Sequence, residues 1–320
     1  MPPVPLVQVV RSGFVESVHV GSVAVVDADG KLIASAGDPH RVTYARSAMK
    51  PLQAAVSLTL ADEDLPAAQV AVMSASHNGE PVHLDAVRSV LGRAGLDFDA
   101  LRTPPAFPLD PEAARAAEGP RPELHNCSGK HSGMLLASKR QGYPLDAYPE
   151  PNHPLQRSVL DAVTRAAGSE PVAIGVDGCG VPVHALPLSN MARIYASLAG
   201  PGLVTGGDRV VEGMRSEPYL VAGRNRVCTA VMEAVPDVIV KVGAEGLVCA
   251  GLLGRGMGVA IKVDDGNARA TDPAMVHALR LLDALGEGSL AALERFARPP
   301  VLGGGRPVGS LLPLFDLERP

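Results

Sequence analysis

The sequence predicts an α+β protein with a mixed, mainly antiparallel sheet flanked by helices. Three observations support this fold class. Short β-branched segments joined by turn residues open the chain, helical segments dominate its middle, and further short apolar segments follow near residues 238–263. The 320 residues are 46% hydrophobic but only 3% aromatic, without tryptophan. We therefore expect a core built mainly from alanine, valine and leucine.

The N-terminal quarter contains the first sheet strands and the first helix. Strands are predicted at residues 7–11, 15–20, 23–27 and 31–36, with Asp29-Gly30 as a hairpin turn. A helix is predicted over residues 47–61. Proline disfavours helix at the residue before it but is tolerated in a first turn, so this helix begins at either Ser47 or Pro51. The apolar run at 69–75 is predicted as a strand that leads into Ser76.

The rest of the chain is predicted to be helical with a few strands. The Pro/Ala-rich stretch 104–122 is expected to be a loop with a short helix at 110–117, and the Gly/Pro-rich stretch 299–309 a linker. We predict one catalytic domain over residues 1–320, with a helical subregion at about 77–170 as an open alternative. Helices are expected at 82–94, 129–140, 155–167, 190–199, 207–215, 226–234, 273–285 and 290–297, and strands at 172–176, 238–242 and 258–263.

Charge and cysteine content exclude several classes of protein. The net charge of −5 argues against a nucleic-acid-binding protein. No apolar run approaches the ~18 residues of a membrane span, and the N-terminus lacks the pattern of a signal peptide. We expect a cytoplasmic protein, in which the thiols of Cys127, Cys179, Cys228 and Cys249 stay reduced.

Three short motifs point to nucleophilic catalysis. In chain order, Ser47-Ala48-Met49-Lys50, Ser76-His77-Asn78 and Lys241-Val242-Gly243 form the SxxK, SxN and KxG set of serine β-lactamases and penicillin-binding proteins. A serine hydroxyl needs a base to remove its proton, and a lysine three residues later shares its side of a helical turn. The alternative is structural, with Ser47 capping a helix, Lys50 solvated and Lys241 ending a strand.

The scarcity of lysine favours the catalytic interpretation. The chain has only six lysines, at positions 31, 50, 130, 139, 241 and 262. Where arginine has largely replaced lysine, a retained lysine is expected to do what arginine cannot, namely lose its proton near neutral pH.

A second group of motifs contains two of the cysteines. These segments are HNCSGKHSGML, from His125, and GVDGCGVP, from Gly175. Cys127 and Lys130 would share one face at a helix start, and Asp177 and Cys179 one side of an extended segment. Two cysteines and one further ligand could bind zinc with an open fourth position, but buried structural cysteines remain the alternative because no CxxC or HExxH motif is present.

Together these motifs resemble the class 3 (rhizobial-type) L-asparaginases. The resemblance rests on HNCSGKHSGML, GVDGCGVP, RSAMKPLQ, SASHNGEP and KVGAEG in this order, with the opening VQVVRSGFVESVHVGSVAVVDADG. It implies a fold similar to serine β-lactamases, penicillin-binding proteins and glutaminases. It also implies two Ser-Lys pairs, Ser47 with Lys50 and Ser76 with Lys241. We expect the protein to form a homodimer.

The resemblance also implies a zinc site and a substrate pocket. The Zn²⁺ ligands would be Cys127, Lys130 and Cys179, with water completing the site and Asp177 beside it. We expect Arg46 to bind the substrate α-carboxylate, although a solvated arginine is an equal alternative. The other residues expected to contact substrate are His77, Asn78, Asp177 and His131.

The function predicted from the sequence is hydrolysis of L-asparagine to L-aspartate and ammonia by a lysine-activated serine. Three rivals stay open. The first is a zinc-hydroxide amidohydrolase or a glutaminase acting on a related small amide, the second a penicillin-recognising acyltransferase, and the third a non-enzymatic metabolite sensor. A sensor would be marked by the loss of a serine or lysine from the motifs, and none is lost.

Overall fold

The computed structural model describes residues 1–320 and contains eleven strands. In chain order, β1 to β11 span Val4–Arg11, Phe14–Asp27, Leu32–Ala36, Val42–Tyr44, Ala173–Val176, Pro182–Pro187, Val238–Val242, Leu247–Leu252, Met257–Val263, Pro300–Gly303 and Arg306–Pro313.

Twelve α-helices and five short 3-10 helices complete the secondary structure. In chain order, α1 to α12 span Lys50–Ala61, Ala67–Met73, Pro81–Arg93, Pro111–Ala116, Ser128–Arg140, Pro154–Ala167, Leu188–Ala199, Gly207–Ser216, Pro218–Val221, Val227–Ala234, Thr271–Leu281 and Glu287–Ala297. None of these helices combines the length and apolar character that crossing a membrane requires.

The chain forms two compact units. The first, which we call the sheet unit, contains residues 1–48, 186–200 and 230–320. The second, which we call the helical unit, contains residues 49–185 and 201–229. The expectation of one catalytic domain over residues 1–320 stays a prediction.

The sheet unit is built on one antiparallel sheet with the strand order β10-β11-β1-β2-β9-β8-β7, and β3 pairs with the far end of β2. Every neighbouring pair in it is antiparallel. The expected α+β class with a mainly antiparallel sheet and flanking helices is confirmed, as is the turn at Asp29-Gly30, where Gly30 has a φ of +85°.

The prediction of a linker at residues 299–309 is wrong. These residues form most of the β10–β11 hairpin, in which Gly303 pairs with Arg306. Gly304 and Gly305 have φ values of +55° and +77°, which suits the tight two-residue turn that joins right-twisted strands. The glycines that suggested a flexible linker are there because this turn requires positive φ.

Two paired glycines bring helix α7 close to the sheet. Gly251 of β8 and Gly258 of β9 are cross-strand neighbours. A Cβ atom at Gly258 would lie 1.8 Å from the carbonyl oxygen of Ala192, and one at Gly251 would lie 2.8 Å from that of Tyr195. The helix backbone therefore rests directly on the strands, which fixes the position of the Tyr195 side chain.

The helical unit packs α1, α2, α3 and α5 around one another. Gly129, in the first turn of α5, allows the closest approach, because a Cβ atom there would lie 2.1 Å from the carbonyl oxygen of Val72 in α2. This contact fixes the start of α5, where Cys127 is the N-cap residue and Lys130 lies in the first turn.

The prediction of a strand at residues 69–75 is also wrong, because α2 occupies residues 67–73. A short apolar run cannot be assigned from periodicity alone. The sequence of α2 is AAQVAVM, rich in helix-favouring alanine, glutamine and methionine, and Pro66 is its N-cap residue. The segment after Ser74, which includes Ser76, belongs to neither a helix nor a strand.

Candidate active site

The SxxK motif begins with a single turn of 3-10 helix, Arg46–Met49, which leads into α1 at Lys50. Helix α1 therefore begins between the two residues that the sequence offered, with Pro51 tolerated in its first turn. Arg46 has a φ of +45°, a left-handed conformation that is uncommon for a non-glycine residue. Such strain persists only where the surroundings impose it, and it is frequent at functional sites.

Two hydrogen bonds fix the backbone around Ser47. The Ala48 amide donates to the Ala45 carbonyl at 3.1 Å. The hydroxyl of Tyr195, which lies on α7, donates to the Ala48 carbonyl at 2.6 Å. Ser47 itself is half-buried, so its hydroxyl is less enclosed than the other polar groups described below.

Lys50 is buried in the helical unit with its amine among hydrogen-bond acceptors. Its side chain is 1% exposed. The Nζ atom donates to the Ala75 carbonyl at 2.6 Å and to Ser76 Oγ at 2.9 Å, with the Asn126 carbonyl at 3.4 Å. Burial lowers the pKa of Lys50, and the positive charge of Lys130 adds to this effect, although Cys127 and Cys179 oppose it. A lysine with a lowered pKa is a candidate general base.

Ser76 lies in the segment that follows α2, and its amide donates to the Val221 carbonyl at 3.0 Å. Its side chain is only 4% exposed. The structure thus joins the SxxK and SxN motifs through the contact of Lys50 with Ser76. The pairings expected from the resemblance, Ser47 with Lys50 and Ser76 with Lys241, stay predictions.

His77 is fully buried and its ring nitrogens contact protein groups. The Gly79 amide donates to Nδ1 at 3.1 Å, and Nε2 lies 2.9 Å from Ser128 Oγ. Because Ser128 Oγ already donates to the Glu123 carbonyl, His77 Nε2–H is the donor in that contact. Burial lowers the pKa of His77 well below its usual range, so the ring is neutral.

Asn78 makes hydrogen bonds at both ends of its side-chain amide. Its Nδ2 group donates to Glu80 Oε1 and to the Arg224 carbonyl, both at 3.0 Å, and its Oδ1 accepts from Arg226 at 2.9 Å. The substrate-binding role expected for His77 and Asn78 stays a prediction. Their contacts give both side chains the role of holding the segment that contains Ser76.

The two predicted cysteines and Lys130 lie together in the helical unit. Lys130 Nζ is 2.9 Å from Cys179 Sγ, and the Cys127 thiol donates to Asn126 Oδ1 at 3.0 Å. All three side chains are at most 4% exposed. Cys179 lies in the turn between β5 and β6, closed by the Asp177 amide, which donates to the Val181 carbonyl at 2.9 Å. Asp177 Oδ2 lies 3.9 Å from Cys179 Sγ.

The electrostatics of this cluster favour a thiolate. The neighbouring Cys179 thiol and the charges of Lys50 and Lys130 lower the pKa of Cys127 well below its usual range, against the effect of burial. Burial alone would lower the pKa of Lys130, but the two sulfur atoms raise it further than burial lowers it. A thiolate is the form of cysteine that ligates metals.

The donor set of this cluster fits a zinc ion. No three His, Cys, Asp or Glu side chains lie close enough together to bind a metal by themselves. A metal at this position would therefore need the Lys130 amine as well as the two sulfurs. Two thiolates and the Lys130 amine, which must lose its proton on binding the metal, suit tetrahedral zinc with a fourth position for water or substrate.

His131 lies beside this cluster and is also buried. Its Nδ1 atom is 2.7 Å from the hydroxyl oxygen of Tyr148, which accepts from the Arg102 amide at 2.9 Å. Burial lowers the pKa of His131 to about 4. The predicted contact of His131 with substrate stays a prediction.

The sheet unit holds the remaining predicted residues. Lys241 is 0% exposed on β7 and donates to the Val242 carbonyl at 2.8 Å. Arg46 lies in the same unit, and its guanidinium is 3.9 Å from the carboxylate of Glu245, three residues after Val242. Arg46, Ser47 and Lys241 thus belong to the sheet unit, and the other candidate residues to the helical unit.

Sequence reasoning missed the residues that hold the candidate site in place. Tyr148 and Glu80 each bond to a candidate side chain, and Tyr195 bonds to the backbone of Ala48, next to Ser47. The chain has only five tyrosines, so the two that are fully buried could have been singled out as hydrogen-bonding residues. Glu80 carried a weaker signal, its position two residues after the SxN motif.

Comparison with protein families defines the class of this protein as an amidohydrolase. The family model of L-asparaginase II matches residues 7–313, nearly the whole chain. The chain therefore belongs to the L-asparaginase II family, which confirms the family resemblance predicted from its motifs. No curated protein matches it significantly.

Several solved structures are similar to this chain. A β-lactamase from Mycobacterium bovis is 17% identical, with a TM-score of 0.44 over 83% of this chain and 95% of that one. A Bacillus glutaminase is 12% identical, with a TM-score of 0.47 over 82% of this chain and 91% of that one. A protein called Mglu, in its glutamate form, is 16% identical, with a TM-score of 0.45 over 83% of this chain and 61% of that one.

Proposed function

We propose that this protein hydrolyses L-asparagine to L-aspartate and ammonia through a serine nucleophile. Membership of the L-asparaginase II family supports the reaction. The observation that carries the mechanism is the buried Lys50 amine, 2.9 Å from the Ser76 hydroxyl and three residues after Ser47. A buried lysine with a lowered pKa can accept the proton of a serine, which aqueous lysine cannot do near neutral pH.

Ser47 is the proposed nucleophile and Lys50 its base. Exposure distinguishes the two serines, because Ser47 is half-buried whereas Ser76 is 4% exposed. A substrate therefore reaches Ser47 with less rearrangement. Ser47 Oγ attacks the side-chain amide carbon, Lys50 takes the hydroxyl proton, and ammonia leaves after protonation of its nitrogen. Water then hydrolyses the acyl ester, and aspartate is released.

Ser76 is the proposed partner of Lys50 in proton transfer. Its hydroxyl can return the proton held by Lys50 to the leaving nitrogen, because the two groups are already within hydrogen-bond distance. The pairing of Ser76 with Lys241 belongs to the same proposal. Lys241 is fully buried, and a charge near Ser76 would favour the anionic states of the reaction.

The proposal also includes the residues that bind the two ends of the substrate and those that hold the metal. Arg46 would bind the α-carboxylate and Asp177 the α-amino group, each through a charge-assisted hydrogen bond. Cys127, Lys130 and Cys179 would hold a zinc ion, which when bound supplies a Lewis acid that orients polar groups of the substrate. Asp177 supports this arrangement, since its carboxylate lies near Cys179.

An ammonia-release assay on L-asparagine and L-glutamine tests the proposed function. One extra methylene moves the amide carbonyl by roughly 1.3–1.5 Å, and such a misplacement can lower the rate about a hundredfold. We therefore expect kcat/KM for asparagine to exceed that for glutamine by about this factor. Equal values for the two amides would show that no clamp fixes the substrate ends. No ammonia from either would refute the function itself.

The homodimeric state and cytoplasmic location stay predictions from the resemblance and the composition. Light scattering on the purified protein measures the first, since a dimer would have about twice the mass of the 33.0 kDa chain.

A further inference from the structure

Buried lysines are concentrated at the candidate site, with one exception. Four of the six lysines are buried, with exposed fractions of 1% for Lys50, 2% for Lys130, 0% for Lys241 and 5% for Lys262. The first three are accounted for by the proposed function. Burial of an ammonium is costly unless hydrogen bonds compensate for it, so the fourth requires an explanation.

Lys262 lies on the same sheet face as Lys241. Lys241 pairs with Cys249, and Cys249 pairs with Ala260 on the next strand. Lys262 follows Ala260 by two residues, and residues two apart in a strand point to the same face. Lys262 therefore lies on the same face as Lys241, two residues along β9 from the position that continues the pairing of Lys241.

The Lys262 amine binds the turn that follows Lys241. Its Nζ atom donates to the Glu245 carbonyl at 2.6 Å and to the Val263 carbonyl at 2.5 Å. Glu245 belongs to the four-residue turn between β7 and β8, residues 243–246. The φ of Glu245 is +60°, which is unfavourable for a residue with a Cβ atom. The φ of the next residue, Gly246, is +67°. A bond to the carbonyl of Glu245 stabilises this turn in its strained conformation.

The turn at residues 243–246 in turn contacts the segment that begins the SxxK motif. A Cβ atom at Gly243 would lie 3.4 Å from the Ala45 carbonyl oxygen, so the two backbones are nearly in contact. The Glu245 carboxylate lies 3.9 Å from the Arg46 guanidinium. Arg46 itself has a left-handed backbone conformation, so both residues of this contact have positive φ.

We propose that Lys262 is a positioning residue for substrate binding. It fixes the turn at residues 243–246, which holds Glu245 against Arg46 and directs the Arg46 guanidinium toward the α-carboxylate of the substrate. This inference rests on the proposed function, in which Arg46 binds that carboxylate. Lys262 does not contact substrate, and its effect is transmitted through Glu245.

Two substrates separate positioning from a purely structural role. L-Asparagine has the α-carboxylate that Arg46 would bind, and 3-aminopropanamide has the same amide and amine without it. In Lys262→Met we expect KM for asparagine to rise about tenfold, as for the weakening of one charge-assisted hydrogen bond, with kcat changed less. kcat/KM for 3-aminopropanamide should stay constant, so the preference for asparagine falls by the same factor.

Two further variants keep this test decisive. Glu245 is 69% exposed, so Glu245→Gln is expected to fold even if Lys262→Met does not, and it should lower the preference for asparagine in the same way. Ile261→Val is the matched control, because it removes one methyl from the neighbouring buried position of β9. It should leave the preference unchanged.

The outcomes distinguish this inference from the proposed function. If the wild-type protein releases no ammonia from asparagine, the proposed function fails and the inference with it. Two results with an active wild-type protein would refute only the positioning role. In the first, Glu245→Gln keeps the full preference for asparagine. In the second, Lys262→Met lowers kcat/KM for both substrates by the same factor. In an Arg46→Ala background, Lys262→Met should cause no further loss of preference, and an additional loss would also refute it.

Discussion

The contact between α7 and the sheet makes Gly258 a sharp test of how the fold supports the candidate site. Adding one methyl group in Gly258→Ala would place a Cβ atom 1.8 Å from the Ala192 carbonyl oxygen and 2.6 Å from the Ala196 amide nitrogen. Ordinary contacts begin near 3.4 Å, so the helix or the strand must move by about 1.6 Å. Both neighbours are backbone atoms, and no change of rotamer can relieve the clash.

We expect this substitution to lower both stability and activity. Overpacking of a close-packed site costs about 1–3 kcal/mol, and each kcal/mol lowers Tm by roughly 1.5 °C in a protein of this length. The displaced helix holds Tyr195, whose hydroxyl bonds to the Ala48 carbonyl beside Ser47. Asparaginase activity at a temperature where the variant is folded should therefore fall as well.

The matched control is Gly92→Ala, the same chemical change in a different place. Gly92 lies within α3, has no positive φ, and has no atom within 4 Å of an added Cβ. Alanine favours helix over glycine by about 1 kcal/mol, so Gly92→Ala should raise stability. Urea denaturation measures the free energy of unfolding of both variants, which should fall in Gly258→Ala and rise in Gly92→Ala. A Gly258→Ala protein as stable and as active as wild type would refute the reasoning from the α7 contact.

Three further predictions concern the serines, the metal and the pH dependence of stability. Ser47→Ala should abolish ammonia release without unfolding the protein. Ser76→Ala should lower kcat by about 10²–10⁴, which is typical of a lost proton-transfer group. Steady-state kinetics measure both variants, and if only Ser76→Ala were inactive, Ser76 and not Ser47 would be the nucleophile. Protein purified without chelator should contain about one zinc per chain by elemental analysis and Cys179→Ala almost none, and equal zinc in both would exclude the proposed ligand set. Burial lowers the pKa of His184 to about 4, below the ~6.5 of the unfolded chain, so the unfolded state binds more protons between these values and stability should fall from pH 6.5 to 4 by about 3 kcal/mol from this residue. Denaturant titrations should show a flatter pH profile for His184→Gln, and an unchanged profile would contradict the assignment.

Several helices and most of the first strands could be predicted from the sequence, although the strands expected at residues 15–20 and 23–27 are one continuous strand, β2. Helices α3, α5 and α6 lie within one residue of their predicted bounds. The two errors share a physical cause. The apolar run in α2 has no distinguishing period, and the glycines of the β10–β11 turn resemble those of a flexible linker until the strands pair.

The chemistry-bearing residues were also visible in the sequence, whereas their partners were not. Nothing near Lys50 in the sequence indicates that its amine contacts Ser76, because 26 residues separate them. Lys130 and Cys179, 49 residues apart, were expected to meet only because of the family resemblance and not from their spacing. Such contacts depend on tertiary packing, here on the approach of α5 to α2 at Gly129. Spacing predicts which side chains could act, and packing determines which of them meet.

The burial of most lysines gives this protein an unusual surface for chemical modification. Only Lys31 and Lys139 have exposed side chains, and the other four are enclosed. Amine-directed reagents such as succinimidyl esters should therefore attach polymers or solid supports through these two lysines and the exposed α-amino group of Met1. Lys31 lies at the end of the β2–β3 turn and Lys139 in the last turn of α5. Coupling under native conditions should leave the interior amines unmodified, and peptide mapping after labelling would locate every attachment.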